Sequence, residues 1–228
     1  MEELSRTIMR LGADNVEKLK SKKVIIFGIG GVGGYTCEAL VRTGVGRIDI
    51  VDNDTVSLSN INRQIIALHS TVGKKKVDVM KARMLDINPN VVVNSFDTFY
   101  TPETAHSFDL TEYDYVIDAI DTVAGKIDLA ERCDALNIPI ISSMGAGNKL
   151  DPCAFKVADI YKTAVCPLAK AVRIALKKKG VKKLKTVYSE ETPKIQGETD
   201  KRIPASCAYI PSVVGLIIAS EVVKDLIK

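Results

Sequence analysis

One stretch of the chain decides the fold: Val24-Ile25-Ile26-Phe27-Gly28-Ile29-Gly30-Gly31-Val32-Gly33. Its apolar first part predicts a buried strand, and the residues after it predict a helix over Gly33–Thr43. Gly28, Gly30 and Gly33 have the spacing of a phosphate loop, which needs a tight turn, close backbone approach to phosphate and close helix packing. Asp52 ends the next predicted strand, where a carboxylate can accept hydrogen bonds from ribose hydroxyls. The stretch predicts a nucleotide-binding fold, although an NAD-dependent dehydrogenase would share these features.

Strands and helices alternate through the rest of the chain, an order that builds a parallel sheet. The next predicted strands are Ile48–Val51, Val91–Val93, Tyr115–Ala119 and Ile138–Ile141, with helices over Lys74–Ile87 and Lys126–Leu136. The last part predicts strands over Phe155–Ile160, Lys185–Tyr188 and Cys207–Ile210, a helix after Pro167, and a helix from Pro211 to Ile227. We therefore expect an α/β fold, a doubly wound, Rossmann-like, mostly parallel sheet with a C-terminal α/β extension.

The composition is that of an ordinary globular protein and excludes several classes. Hydrophobic residues make up 46% and charged residues 26% of the 228 residues, which excludes a disordered or fibrous chain. Five cysteines without a Cys-x-x-Cys pair argue against a disulfide scaffold and a structural zinc site. No apolar stretch precedes Val24, and the uncharged run Ile203–Ser220 contains prolines and serines, so neither a secretory signal nor stable membrane insertion is expected. These features favour a soluble, reduced, cytoplasmic protein.

Polar side chains crowd the segment after Asp52 and separate this chain from the dehydrogenases. Asn60, Arg63 and Gln64 are spaced three and four apart, so a short helix would place them on one side. Arg63 can fork onto a phosphate, and Lys76 supplies a second cation. A dehydrogenase binds pyrophosphate largely through backbone groups and has little use for these side chains. An enzyme that cleaves a triphosphate between its first and second phosphates does need them.

Several acidic residues and one thiol have open roles. Asp118 and Asp121 follow a central strand at the edge where ligands bind, and either could hold Mg²⁺, with Asp121 favoured. Asp54 either joins a ribose or metal network or caps the short helix that is expected near Ser57. Cys207 follows a turn-rich segment and is the best candidate for a reactive thiol.

These motifs resemble the adenylating superfamily that includes ThiF, MoeB, HesA and the ubiquitin-activating enzymes, from Arg6 to the C-terminus. The resemblance implies an ATP- and Mg²⁺-dependent enzyme in which Asp52 binds the ribose and Asp121 has the metal and adenylation role. Phosphate handling falls to Asn60, Arg63, Gln64 and Lys76. The implied nucleotide-binding set is Gly28, Gly30, Gly31, Gly33, Asp52, Asp54, Asn60 and Gln64. Arg6 matches an arginine that in this family crosses a dimer interface into the partner's site, which implies a homodimer.

A narrower resemblance is to the branch of the tRNA threonylcarbamoyladenosine dehydratases (TcdA branch). The matching stretches are Asn62–Gly73, Ile87–Pro89, Tyr115–Asp121, Pro167–Lys170 and Pro211–Gly215. That branch uses ATP to cyclise a threonylcarbamoyl group on the adenosine beside the tRNA anticodon. The likeness implies a single adenylating domain over residues 1–228. Its parts are a helical arm (1–20), a nucleotide-binding core (21–150) and an extension (151–228) with a mobile loop over 189–205.

A lysine-rich segment independently favours a nucleic-acid substrate. Between Ile160 and Ser189 there are nine Lys or Arg residues and no acid. The candidate tRNA-binding residues are Lys177, Lys178, Lys179, Lys182, Lys183 and Lys185. Such lysines attract phosphate without regard to sequence. The alternative interpretation is a solvated helix face.

Two other functions remain open. Enzymes of the ThiF and MoeB type adenylate the C-terminal carboxylate of a small ubiquitin-like sulfur-carrier protein. A sulfur-transfer protein is an open candidate partner of this chain. The missing zinc pairs and the lysine-rich segment favour tRNA over that substrate. A nucleotide-binding scaffold without turnover is the other alternative. Against the scaffold stands the joint presence of Arg6, Arg63, Lys76 and Asp121.

Overall fold

The computed structural model describes residues 2–193 and 204–228. The helices are α1 (Ser5–Leu11), α2 (Ala13–Lys20), α3 (Gly33–Thr43), α4 (Lys76–Ile87), α5 (Val123–Leu136), α6 (Pro167–Lys179) and α7 (Tyr209–Leu226). The strands are β1 (Lys23–Phe27), β2 (Arg47–Val51), β3 (Ser95–Phe96), β4 (Tyr115–Asp118), β5 (Ile140–Ser143), β6 (Phe155–Asp159) and β7 (Lys185–Ser189). Short 3₁₀ turns connect several of these elements, among them Leu58–Asn60 between β2 and α4.

The seven strands form one sheet in the order β3-β2-β1-β4-β5-β7-β6. Strands β1 to β5 and β7 pair in parallel, and β6 pairs antiparallel with β7 at the edge. From β1 the chain first builds outward through β2 and β3, then returns to place β4 on the other side of β1. The expected doubly wound, mostly parallel fold is confirmed. Its crevice lies at the carboxyl ends of β1 and β4, where such sheets bind ligands.

Side chains alternate between two covered faces of the sheet. On β1, Val24 and Ile26 pack in the cluster that contains residues of α3, α4 and α7. Ile25 and Phe27 point to the opposite face, under α5. Because both faces are buried, the central strands are continuous apolar runs, as parallel sheets require.

Helix α7 packs on the core. Ile210, Val214 and Ile218 are fully buried in the same cluster as residues of α3. A Cβ on Gly215 would lie 2.4 Å from the carbonyl oxygen of Val32, so α7 and the start of α3 are in backbone contact. No helix in the described ranges is long and apolar enough to cross a membrane.

Three expected elements differ from the structure. Instead of a strand at Val91–Val93, Val92 makes a single bridge to Arg47, and the assigned strand is β3. The buried carboxylate of Asp49 accepts hydrogen bonds from the backbone and side-chain nitrogens of Asn94, which breaks the regular ladder. The expected strand at Cys207–Ile210 is wrong because α7 has already begun at Tyr209. The helix expected from Pro211 therefore begins two residues earlier, at Tyr209. Pro211 is tolerated in its first turn because the N–H groups of that turn need no helical partner.

Other boundaries moved by a few residues. The helix expected from Lys74 begins at Lys76, and the one expected near Lys126 begins at Val123. The mobile loop predicted over 189–205 begins with the last residue of β7, and residues 194–203 of that prediction lie outside the described residues.

Candidate active site

The glycine loop joins β1, α3 and the end of β4. Gly28 has φ +91°, a left-handed conformation that favours glycine, and a Cβ there would lie 2.6 Å from the carbonyl oxygen of Ala119. A Cβ on Gly33 would lie 1.8 Å from the carbonyl oxygen of Gly28. At Gly30, by contrast, the nearest atom to an added Cβ is Nε2 of Gln64 at 3.8 Å. Gly28 and Gly33 are therefore required by packing, whereas Gly30 borders open space where a phosphate can approach.

Asp52 is bound to that loop. One carboxylate oxygen accepts a hydrogen bond from the backbone N–H of Ile29 at 2.7 Å, and the other accepts from the N–H of Asp54 at 2.8 Å. These bonds hold the carboxylate at the end of β2 beside the glycine loop. This is the position from which the sequence predicted ribose binding.

The turn after Leu58–Asn60 places Arg63 and Gln64 against the glycine loop. Oδ1 of Asn60 accepts a hydrogen bond from the backbone N–H of Ser57 at 3.1 Å, which closes the turn. The Cγ of Arg63 is 3.6 Å from where a Cβ of Gly31 would lie. Gln64 is buried, and its Oε1 has no hydrogen-bond partner within residues 2–193 and 204–228. A buried, unsatisfied amide beside a glycine cradle fits a polar ligand.

Lys76, at the start of α4, is held by carboxylates. Its Nζ is 2.6 Å from Oδ2 of Asp54 and 4.0 Å from Oδ1 of Asp52, and the residue is only 5% exposed. Asp54 therefore contacts a lysine of the site, and the alternative role as a helix cap is not what the structure shows. An ATP phosphate would compete with these carboxylates for the ammonium group.

Asp118 and Asp121 have different surroundings. Asp118 is fully buried, and both its carboxylate oxygens lie 3.0 Å from Nζ of Lys126. Asp121 is exposed, and it follows Ala119 and Ile120, whose backbone packs against Gly28 of the glycine loop. The geometry leaves Asp121 as the carboxylate available to a ligand.

The described residues offer few protein ligands for a metal ion at this site. No group of three or more His, Cys, Asp or Glu side chains in the described ranges is gathered to bind a metal. Mg²⁺ in nucleotide sites keeps several waters and binds one or two carboxylates plus substrate phosphates. The exposed Asp121 fits such a sparse donor set.

Arg6 lies away from the site of its own chain. It is exposed on α1, two residues after Leu4, whose Cδ1 is 3.1 Å from where a Cβ of Gly44 would lie, just past the carboxyl end of α3. The glycine loop opens the other end of α3, and a helix of this length spans about 16 Å. Arg6 therefore belongs to a different surface of the subunit from the glycine loop.

The cysteines fall into two groups. Cys37, Cys133 and Cys166 are buried, and burial raises the pKa of Cys133 to about 12. Cys207 is half-buried and contacts Tyr209, whose pKa it raises through a hydrogen bond. A reactive thiol at Cys207 stays a prediction.

The lysine-rich segment lies at the opposite edge of the sheet from the glycine loop. Lys185 is the first residue of β7, which runs parallel to β5, so it marks the amino-terminal edge of the parallel strands. Lys185 is paired with Glu221 and Asp225, and Lys179 is paired with Glu131. The candidate lysines that are exposed and make no ion pair with another described residue are Lys177, Lys178, Lys182 and Lys183.

Two polar residues near the site were not singled out from the sequence. Lys126 binds the carboxylate of Asp118. Asp118 ends the otherwise apolar strand β4, and a charged residue in such a strand indicates that a buried partner must exist. Asn62 contacts both Arg63 and Ser206. Ser206 is so distant in the chain that no local pattern points to that contact.

Sequence similarity relates this chain to a known protein family. The family model "ThiF family" matches residues 4–228. The tRNA threonylcarbamoyladenosine dehydratase of Bacillus subtilis is 46% identical over 100% of this chain and 96% of its own. The Escherichia coli protein of that name is 44% identical over 68% of this chain and 58% of its own. The chain belongs to the ThiF family.

The fold of this chain is also similar to solved structures. E. coli tRNA N6-threonylcarbamoyladenosine dehydratase, TcdA, in complex with ATP superposes with a TM-score of 0.92 and 33% identity, covering 99% of this chain and 93% of that one. Its complex with AMP has the same TM-score and identity. The E. coli MccB structure with ATP, at 23% identity, shares the fold alone.

Proposed function

We propose that this protein is an ATP-dependent tRNA threonylcarbamoyladenosine dehydratase. The observation that carries the proposal is the 46% identity to the B. subtilis dehydratase along the whole chain. The glycine loop, Asp52, Gln64 and Lys76 meet at one edge of the sheet, and this arrangement supports nucleotide binding there. The reaction is adenylation of the threonine carboxylate, followed by ring closure with net loss of water.

ATP binds with its phosphates on the loop at Gly30 and Gly31. Asp52, fixed by the backbone of Ile29, accepts hydrogen bonds from the ribose. Gln64 satisfies its buried amide on the ligand. Lys76 gives up part of its ion pair with Asp54 and binds a phosphate instead. The ammonium group therefore exchanges one anionic partner for another.

The first chemical step makes a good leaving group from a poor one. The threonine carboxylate attacks the α-phosphorus of ATP, the bond to the β-phosphate breaks, and pyrophosphate leaves. Arg63 and Lys76 stabilise the negative charge that moves onto the leaving phosphates. Arg63 suits this task because, within the described ranges, its hydrogen bonds go to neutral oxygens of Ser59 and Asn62.

Asp121 is assigned to Mg²⁺. Bound at ATP, the ion would neutralise phosphate charge and orient the phosphates. Asp118 is held in a buried ion pair with Lys126, so Asp121 is the carboxylate of the β4–α5 connection that could bind the ion.

The second step is intramolecular. A nitrogen or oxygen of the substrate's carbamoyl group attacks the activated carbonyl, a five-membered ring closes, and AMP departs with one oxygen of the original carboxylate. The N–H proton that the carbamoyl group loses passes to solvent. No protein nucleophile is needed for this route, so Cys207 has no required part in it. What the enzyme supplies is a fixed, water-poor environment for the folded adenylate.

The tRNA and the second subunit complete the proposal. Lys177, Lys178, Lys182 and Lys183 are available for phosphate contacts at the edge opposite the glycine loop, so bound tRNA must extend along the subunit. Arg6, remote from its own loop, is available to the site of a partner in a homodimer.

Adenylation of a protein carboxylate is the second candidate. The E. coli molybdopterin-synthase adenylyltransferase is 34% identical over 57% of this chain and 51% of its own. The activated group in both reactions is a carboxylate, so the ATP-binding residues suit either. A sulfur-transfer partner would belong to this second reaction.

Mass spectrometry of nucleosides tests the choice. tRNA carrying threonylcarbamoyladenosine is incubated with the protein and Mg-ATP, then digested. We expect the modified nucleoside to lose one water, dependent on ATP and abolished in Asp121→Ala. No mass change, together with AMP release stimulated by a Gly-Gly-ended carrier protein but not by tRNA, would favour the second candidate.

A further inference from the structure

The side-chain amide of Asn62 connects Arg63 with the segment 204–206. Its Oδ1 accepts a hydrogen bond from Nη1 of Arg63 at 2.9 Å. Its Nδ2 donates a hydrogen bond to the backbone carbonyl of Ser206 at 3.0 Å, across 144 positions of sequence. One exposed amide therefore touches the phosphate-facing arginine and the segment that leads into α7.

The two contacts suit an amide. Arg63 can only donate and the carbonyl of Ser206 can only accept, so the bridging side chain must both accept and donate, which an amide does at two separate atoms. A carboxylate at position 62 could accept from Arg63 but could not donate to Ser206. An aliphatic side chain could do neither.

The segment 204–206 is anchored independently on its other side. Asn148 donates its backbone N–H to the carbonyl of Ala205 at 2.8 Å, and its Oδ1 accepts from the N–H of Ala205 at 2.7 Å. A Cβ on Gly147 would lie 2.5 Å from Cβ of Pro204. The loop after β5 and the Arg63 turn therefore hold the segment between them.

Asn148 offers a way to loosen the segment without touching Arg63. Its φ of +60° is a left-handed conformation that glycine adopts freely. Asn148→Gly removes the side-chain anchor of Ala205 and keeps the backbone shape. This substitution is the matched control for Asn62.

We propose that Asn62 is a positioning residue that sets the Arg63 guanidinium for the ATP phosphates and, through the same amide, fixes the segment 204–206 beside them. The proposal deepens the adenylation chemistry described above and rests on Arg63 facing ATP. It implies that the nucleotide site and the segment 204–206 are positioned together. Neither contact makes Asn62 itself a reacting group.

The primary test is ATP affinity, measured by calorimetry with the full chain and no tRNA. Asn62→Ala is expected to raise the Kd for ATP by about three- to tenfold, because Arg63 keeps only its hydrogen bond to the carbonyl of Ser59. Asn148→Gly is expected to leave that Kd unchanged. In an Arg63→Ala background, Asn62→Ala should add nothing further, since coupled residues are not additive.

Hydrogen–deuterium exchange over 204–209 provides the second readout. Both Asn62→Ala and Asn148→Gly should speed exchange there, while Asn62→Gln should restore part of the ATP affinity that Asn62→Ala removes. An unchanged ATP Kd in Asn62→Ala, an additive effect in the Arg63→Ala background, or unchanged exchange over 204–209 would each overturn the proposal. ATP affinity needs no turnover, so these results are independent of whether tRNA is the substrate.

Discussion

Lys126 and Asp118 form an ion pair with both side chains fully buried, directly beneath the connection that carries Asp121. The Lys126 ammonium also donates to the carbonyl oxygen of Ser143 at 2.7 Å, so it ties the ends of β4 and β5 together. Asp118 in turn accepts from the backbone N–H of Ile120 at 3.2 Å. The pair therefore holds the backbone of the connection that leads to the exposed Asp121.

Removing one partner of this pair should be costly. Lys126→Met leaves the Asp118 carboxylate buried without its counter-ion, and we expect a decrease of about 3–5 kcal/mol in the free energy of unfolding. Urea denaturation followed by circular dichroism measures it. Lys126→Met with Asp118→Asn should be less destabilised than the sum of the two single variants. A decrease below about 1 kcal/mol for Lys126→Met would show that the pair is not needed for the fold.

The glycines of the loop should separate into structural and functional positions. Gly33→Ala places a Cβ 1.8 Å from the carbonyl oxygen of Gly28, and we expect the free energy of unfolding to fall by about 3 kcal/mol or more. Gly30→Ala meets only Gln64 at 3.8 Å, so the fold should be unaffected. Its methyl group occupies the approach of the phosphates and should raise the ATP Kd roughly tenfold, about 1.4 kcal/mol. Equal ATP binding by Gly30→Ala and the unchanged protein would contradict the phosphate position.

Much of the fold could be predicted because the sheet is buried on both faces. The apolar residues of β1, β2, β4 and β5 avoid water only inside such a sheet. Glycine and Asn-Pro signals end the helices between these strands. The failures occurred where side chains replaced regular backbone pairing. Asp49 accepts from Asn94 near β3, a contact between residues 45 apart that no local pattern reveals.

The site was predictable to the extent that its residues lie close in sequence. Arg63 and Gln64 share one turn, and Lys76 opens the next helix, so their meeting with the glycine loop follows from the order of elements. The choice between Asp118 and Asp121 needed the structure, because it depends on Lys126 reaching Asp118 from α5. The distance of Arg6 from the loop likewise depends on how α1 packs beside α3 and α7.

The lysine prediction can be tested within one helix. Lys177→Gln with Lys178→Gln should weaken tRNA binding and reduce the slope of log K against log salt by about 0.7–0.9 for each phosphate that is no longer neutralised. Lys179→Gln is the matched control, since Lys179 is already paired with Glu131 at 2.5 Å. Filter binding across a salt series measures both. Equal effects of the paired and unpaired lysines would indicate a general charge effect and no specific contact.

The proposed role of Arg6 predicts complementation between inactive subunits. Arg6→Ala and Asp121→Ala should each abolish turnover as homodimers. Mixed after reversible dissociation, half the dimers are heterodimers, and each would hold one site with an intact Asp121 and the partner's Arg6. Activity should therefore recover to roughly a quarter of that of the unchanged protein. No recovery, with heterodimers confirmed by native mass spectrometry, would exclude sharing of the site between subunits.

Oxygen-18 transfer tests the central claim, adenylation of the tRNA-borne threonine carboxylate, most directly. tRNA carrying threonylcarbamoyladenosine labelled with oxygen-18 in the carboxylate is incubated with the protein and Mg-ATP for a single turnover. Attack on the α-phosphorus followed by ring closure predicts one labelled oxygen in AMP for each cyclised nucleoside. Cyclised nucleoside formed with unlabelled AMP, or with ADP and phosphate as the products, would contradict the account.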